Sequence, residues 1–205
     1  MAKAEGSVIE CGMDECGIGS AIAEVYVACC ILDPKRPIRG LADSKQLTPK
    51  RRRELSLKIQ ARALDYNIAT ASLEEIEQLN VLGASHLAMV RAVHGLKLRP
   101  DIVLIDGNKV PKGLTIPARA IIKGDAKIAA ISAASILAKV ARDEAMLKYH
   151  ELYPLYGFDT HMGYLTPVHL AALAKHGPCP AHRKAYAPVR ALLEARLAPT
   201  LFGLE

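Results

Sequence analysis

Two short apolar runs in this chain end on acids, and that pattern constrains the fold more than any other feature. Residues 8–13 lead into Asp14-Glu15, and Ile102-Val103-Leu104-Ile105 leads into Asp106-Gly107. Runs of this length, rich in β-branched and aliphatic side chains, read as strands covered on both faces. Such strands belong to α/β sheets, which place their sites at strand ends. The acids therefore arrive at the rim of a buried sheet.

The segments between fit this scheme. Residues 25–32 read as a second strand, set off from the first by Gly17 and Gly19. Thr48-Pro49 opens a helix, with Thr as cap and Pro in the first turn, and Leu55 and Ile59 give it an apolar i, i+4 pair. A strand over 66–71 follows, then the capping box Ser72-Leu73-Glu74-Glu75, then a helix over 81–97 that ends before Pro100. Strands are expected over 101–106 and 118–122, a long helix over 126–149, and further helices after Thr166-Pro167 and after Pro188. Strands alternating with helices imply an α/β sheet covered on both faces. With 205 residues and no repeat or linker, one domain is expected, its core over about 8–187 and a helix and tail over 188–205.

Composition excludes several function classes. No run of about 18 apolar residues occurs, so no membrane span is expected. The start, Met1-Ala2-Lys3-Ala4-Glu5-Gly6, lacks the apolar core of a signal peptide, and a cytoplasmic protein is expected. The five cysteines (Cys11, Cys16, Cys29, Cys30, Cys179) form no CxxC pair. Adjacent Cys29 and Cys30 point to opposite faces of a strand, so reduced, buried thiols are expected rather than zinc ligands. Aromatic residues are only 4% of the chain, too few for base-stacking platforms. The net charge of +6 is compatible with a polyanionic partner, contacted through phosphate and sugar.

The candidate chemistry lies in Asp14, Glu15, Asp106 and Asp125, the last between a strand and the long helix. Singly, each reads as a cap or turn residue. Together, three or four carboxylates repel one another and persist where a divalent cation neutralises them. Oxygen donors without His or Cys suit Mg²⁺ or Mn²⁺. Two such ions about 3.5–4 Å apart can drive in-line attack of water on a phosphodiester. Asp14 and Glu15 face opposite ways in a regular strand, so both serve one site only if the chain bends there, which the nearby Gly17 and Gly19 make feasible. Along the long helix, Ser132, Ser135, Lys139 and Arg142 continue a polar stripe from Asp125, on a face that is either solvated or lines a cleft.

These residues resemble the ribonuclease HII family. The resemblance rests on Gly12-Met13-Asp14-Glu15, Ala42-Asp43-Ser44-Lys45, Leu104-Ile105-Asp106-Gly107 and Lys123-Gly124-Asp125-Ala126-Lys127. It continues through residues 132–143, Tyr156-Gly157-Phe158, His161-Met162-Gly163-Tyr164 and Ala187-Pro188-Val189-Arg190. It implies a ribonuclease H-like fold: a mixed five-stranded sheet flanked by helices, with extra C-terminal helices. It also implies divalent-metal hydrolysis of RNA paired with DNA, and cutting on the 5′ side of a ribonucleotide embedded in duplex DNA, leaving 3′-hydroxyl and 5′-phosphate ends. Asp14, Glu15, Asp106 and Asp125 fall on the family's metal-binding acids, and Tyr164 on a tyrosine that packs against the sugar beside the ribonucleotide. The departure is Gly17-Ile18-Gly19, where the family usually has Gly-Arg-Gly; Ser20 and Glu24 also replace prolines. Backbone groups of this loop can still approach a 2′-hydroxyl, but Ile18 offers no side-chain contact to phosphate.

Charge is uneven. Residues 33–53 hold eight basic side chains and two acids, a local excess as large as that of the whole chain. Lys45, and further along Arg183 and Lys184, are the expected phosphate contacts; Lys50–Arg53 read as a solvated helix turn. His161, His169, His176 and His182 are expected at the surface or in caps. Three functions compete: an endoribonuclease on RNA/DNA duplexes, a DNA-directed nuclease of the same fold, and a non-catalytic nucleic-acid-binding module. Four mutually repelling acids argue against the last, since pure binding has no use for them. No exposed apolar repeat is evident, so a monomer is expected.

Overall fold

The computed structural model describes residues 8–42 and 44–197; the Met1–Gly6 start, Asp43 of the 42–45 motif and the end of the tail lie outside the described residues. Five strands form one sheet: β1 (Glu10–Cys16), β2 (Val25–Ile31), β3 (Asp65–Ala71), β4 (Ile102–Asp106) and β5 (Ala118–Ile121). Their order is β3-β2-β1-β4-β5. β1, β2 and β3 pair antiparallel, whereas β1 with β4 and β4 with β5 are parallel. The sheet is mixed, as expected, and β1 lies at its centre.

The helices are α1 (Pro49–Arg62), α2 (Leu73–His94), α3 (Ala129–Leu152), α4 (Phe158–His161), α5 (Pro167–His176) and α6 (Ala187–Leu197). Thr48 caps α1 by accepting from the Arg51 amide, and Ser72 with Glu75 forms the capping box of α2. The two helices expected over 73–97 run on as α2 across a kink at Asn80, which has φ 57°. Its side-chain oxygen accepts from the Leu82 and Gly83 amides, so Asn80 restarts the helix as an internal cap. α3 begins three residues later than the sequence pattern predicts, because a short 3₁₀ turn over Gly124–Ala126 precedes it.

The strand alternation sorts side chains onto two faces. Cys11, Met13, Val27, Cys29, Val103 and Ile105 pack against Ala84, Ala88 and Met89 of α2. Ala28 and Cys30 pack on the other face with Leu55 and Ile59 of α1 and Ile136 and Leu137 of α3. Cys29 and Cys30 thus point to opposite sides, and all five cysteines are free thiols. A third cluster joins Ile22, Met146, Tyr156, Phe158, Leu173 and Val189, fastening the C-terminal helices to the segment between β1 and β2. Gly12 sits where β1 meets α3: a Cβ there would collide with the Ala130 backbone, so only glycine permits this approach. Among the described residues no helix is long and apolar enough to cross a membrane.

Candidate active site

The sheet register brings the acids together. On β1 the residues facing α3 are Gly12 and Asp14; on β4 they are Leu104 and Asp106. Met13 is paired with Ile105, so Asp14 and Asp106 follow side by side on neighbouring strands and the same face. The Asp106 side chain accepts from the Gly124 amide at 2.6 Å, which draws the 124–126 turn, and Asp125 with it, towards the strand ends. Asp125 does not cap α3: the cap position is Ile128, which makes no side-chain cap bond. One carboxylate oxygen from each of Asp14, Asp106 and Asp125 lies within 4.8 Å of the others.

Glu15 stands outside that trio but in the same cleft. β4 ends at Asp106, so β1 loses its partner beyond Met13 and its edge opens. Asp14 looks out on the α3 side and Glu15 on the α2 side of this open edge. A cleft of about 440 Å³ is lined by Asp14, Glu15, Cys16, Ser44, Lys45, Asp106, Asp125, Ser135, Lys139 and Tyr164. Glu15 and Asp106 also border a second hollow of about 400 Å³, with Ile18, Asn80, His86 and Lys109.

Electrostatics set the character of the cleft. Asp14 is 6% exposed. Burial first, and then the neighbouring Glu15, push its carboxyl well above the usual range, against a hydrogen bond from Ser135. Burial and then Asp106 raise Glu15 to about 7, while Lys45 pulls the other way. Glu15 also has a buried oxygen, Oε2, with no hydrogen-bond partner. Charged carboxylates held this closely are unfavourable alone and favourable around a cation. The hard oxygen donor set and the orphaned Glu15 oxygen fit a divalent ion of the Mg²⁺ or Mn²⁺ type.

The loop after β1 is built to lie beside this site. Gly17 has φ 102°, and a Cβ there would strike the Arg142 side chain. Gly19 lies against the Tyr164 ring. Tyr164 is 40% exposed, and the Arg142 guanidinium carbon stands 5.5 Å from its ring centroid. Ser20 donates to the Gly163 carbonyl at 3.0 Å, and Glu24 accepts from the Tyr149 hydroxyl at 2.8 Å. Ser20 and Glu24 thus tie the loop down by hydrogen bonds.

Arg183 requires a correction. It is not presented to a phosphate: it is 2% exposed, and its guanidinium donates to the carbonyls of Ile18, Ser20, Ala23 and Glu24. It shapes the 17–24 loop from beneath. Lys184 is exposed and lies 3.8 Å from Glu77, outside the cleft lining. Arg52, read as part of a solvated turn, is buried against Ser44, Leu47 and Asp143. Of the α3 stripe, Ser135 and Lys139 line the cleft, whereas Ser132 and Arg142 are buried. Cys16 and Ser44 are cleft residues that the sequence reading did not single out. The surface or capping role is also overturned for His161, His169 and His182, which are buried; His176, only partly buried, stands in the last turn of α5.

The ribonuclease HII family model matches residues 11–189. The chain belongs to the ribonuclease HII family. It is 59% identical to the ribonuclease HII of Desulforamulus reducens over 91% of this chain and 93% of that one. It is 54% identical to that of Natranaerobius thermophilus, over 90% and 93% respectively. Among solved structures, the ribonuclease H2 of Pyrococcus horikoshii superposes with a TM-score of 0.76 at 28% identity, covering 91% of this chain and 97% of that one. The ribonuclease HIII of the Bst enzyme, in complex with Mn²⁺, shares the fold at a TM-score of 0.69 and 17% identity, over 93% and 70%. The fold is therefore ribonuclease H-like, and the chain is an endoribonuclease of the ribonuclease H type. The ribonuclease H family is divalent-metal-dependent, and an acidic cluster stands at the ends of β1 and β4.

Proposed function

We propose that Asp14, Glu15, Asp106 and Asp125 are the catalytic acids and hold Mg²⁺ or Mn²⁺, two ions when substrate is bound. The reaction is hydrolysis of the RNA strand of RNA/DNA hybrids, and cutting on the 5′ side of ribonucleotides embedded in duplex DNA, leaving 3′-hydroxyl and 5′-phosphate ends. The observation that carries this reading is the convergence of three carboxylate oxygens within 4.8 Å in an open cleft. When bound, the cations supply neutralising charge for the reacting phosphate and an activated water.

The chain's own residues do the rest. Lys45 and Lys139 bring positive charge to the cleft wall, where the phosphate backbone would lie. The half-exposed Tyr164 ring packs against the sugar next to the ribonucleotide. The backbone of Gly17-Ile18-Gly19, held open by Arg183 on the Ile18 carbonyl, approaches the 2′-hydroxyl. Ile18 packs its side chain against the α2-side core, so recognition of a single embedded ribonucleotide rests on backbone groups and is relaxed. The protein acts as a monomer in the cytoplasm.

The test offers a one-ribonucleotide duplex, a long RNA/DNA hybrid and plain duplex DNA, each with Mg²⁺, Mn²⁺ or chelator. Cleavage of the ribose-containing substrates alone, lost with chelator and with Asp14→Asn, is the expected result. Cutting of plain DNA, or binding without cleavage, overturns it. For Ile18, equal rates for the protein and Ile18→Arg on the one-ribonucleotide duplex overturn the relaxed recognition.

A further inference from the structure

Behind Tyr164 lies a chain of buried side chains that the chemistry above does not use. His169 on α5 reaches the Tyr164 carbonyl through Nδ1 at 3.0 Å. Its other nitrogen, Nε2, lies 3.1 Å from His182 Nε2. His182 Nδ1 in turn meets the Cys179 amide at 3.0 Å and the Cys179 thiol at 3.1 Å. A third histidine, His161, stacks on His169 with ring centroids 4.5 Å apart. It accepts from the Gly163 amide at Nδ1 and contacts the Tyr156 carbonyl from Nε2 at 2.7 Å.

Backbone groups at the ends of these chains leave the rings one arrangement. A carbonyl only accepts and an amide only donates. The Tyr164 carbonyl therefore fixes the His169 proton on Nδ1, which leaves Nε2 as an acceptor. His182 Nδ1 has both the Cys179 amide at 3.0 Å and the Cys179 carbonyl at 3.3 Å beside it, so the His169 side decides: the acceptor Nε2 of His169 needs a donor, which puts the His182 proton on Nε2 and leaves Nδ1 to accept from the Cys179 amide. The Gly163 amide and the Tyr156 carbonyl place the His161 proton on Nε2. In this arrangement every ring nitrogen is used. An extra proton on any of the three would set an N–H against another N–H in a buried site.

We propose that His169 is a positioning residue for Tyr164, held in its working tautomer by the Cys179–His182 pair, and that acid releases this hold. The proposal rests on the reading that Tyr164 packs against the substrate sugar. The titratable groups facing His169 and His182 are His161, Cys179 and Tyr156; Arg183 follows His182 but turns its guanidinium to the carbonyls of the 17–24 loop. Burial moves both rings towards the neutral form, His182 to about 4. The same segment carries Gly163, whose carbonyl accepts from Ser20 and from the Ala21 amide. Fixing the Tyr164 turn thus also fixes the loop that would meet the ribonucleotide.

Two measurements decide it. Ring-nitrogen NMR of the ¹⁵N-histidine protein at neutral pH should show His169 protonated at Nδ1 and His182 at Nε2. A charged His169, or one protonated at Nε2, overturns the proposal. Kinetics on a one-ribonucleotide duplex then use His169→Leu, His169→Asn, His182→Gln, Tyr164→Ala and the Tyr164→Ala/His169→Leu pair. His169→Leu should raise KM about tenfold with kcat within about twofold. His169→Asn, which keeps a donor near the Nδ1 position, and His182→Gln, which keeps a donor to His169, should recover most of that loss. In the Tyr164→Ala background His169→Leu should have no further effect; additive losses overturn action through Tyr164. If Tyr164→Ala alone changes nothing, the sugar-packing reading fails, and with it the claim that this histidine serves catalysis, even where the NMR confirms the tautomers.

Discussion

Arg52 on α1 and Lys139 on α3 share one carboxylate, Asp143, at 2.8 and 2.6 Å. Lys139 lines the catalytic cleft, and Arg52 also donates to the Ser44 and Leu47 carbonyls next to Lys45. The pair therefore joins the helix that carries the cleft's polar stripe to the segment that carries its lysine. Removing the shared charge leaves a buried guanidinium half-compensated, which is more costly than losing an exposed pair. Asp143→Asn is expected to lower stability by about 2–3 kcal/mol, read as a shift of the urea midpoint at unchanged slope.

Gly12 tests the contact between β1 and α3. A methyl group there meets the Ala130 backbone, not a side chain that can rotate away. Gly12→Ala should cost about 3 kcal/mol or more, beyond the usual penalty for an extra methylene in a packed core. It should also move the 124–126 turn away from Asp14 and so reduce cleavage in the fraction that remains folded. Circular dichroism melting, with activity normalised to folded protein, separates the two effects.

The acids give a pH dependence of definite sign. Burial takes Glu15 from 4.5 to about 7 in the fold, and burial also raises Asp14 well above the usual carboxylate range. A raised folded pKa means stability that is present below the unfolded value and lost as pH rises through the folded one. The cation-free protein should thus lose about 3 kcal/mol from Glu15 between pH 4.5 and neutrality, with Asp14 acting in the same direction. Asp14→Asn should then raise the melting temperature of the cation-free protein by several degrees at about pH 8 and change it little at about pH 4. The same variant should abolish the rise in melting temperature that Mg²⁺ gives the parent at alkaline pH. A lower melting temperature for Asp14→Asn at pH 8 would contradict this account.

Salt dependence separates side chains that meet phosphate from those that hold the loop. Lys45→Ala should reduce the slope of log affinity against log salt by about one, whereas Lys184→Ala, outside the cleft and beside Glu77, should leave it unchanged. Arg183→Gln should leave the slope unchanged while weakening binding at every salt concentration, because its guanidinium is spent on carbonyls. Fluorescence anisotropy on a catalytically silenced Asp14→Asn background gives all three slopes.

Much of the site was legible in the sequence because it follows from alternation and strand ends. Two apolar runs that stop at Asp14 and Asp106 become adjacent once the strands pair in parallel, and nothing beyond the period of two is needed to put both acids on one face. The boundary of α3 was less legible. Asp125 resembles a helix cap, but the Asp106–Gly124 hydrogen bond tightens its turn into a 3₁₀ form and leaves capping aside. Arg183 and the buried histidines were misread for a different reason. A buried arginine and an exposed one look alike in a sequence; the difference lies in carbonyls of the 17–24 loop, far away along the chain. His169 and His182 likewise become core residues only because Tyr164 and Cys179 supply backbone partners.

The central pairing of β1 with β4 joins Glu10–Met13 to Ile102–Ile105, and the third acid arrives only with the turn before α3. The chain must therefore close a loop of about ninety residues before Asp14 can meet Asp106, which makes this contact a late event in folding. A ribosome-bound chain that has not yet released α3 carries the first acids but no cleft. Nuclease activity during refolding should rise with the slowest phase that consolidates the sheet, well after the helices have gained their circular dichroism signal.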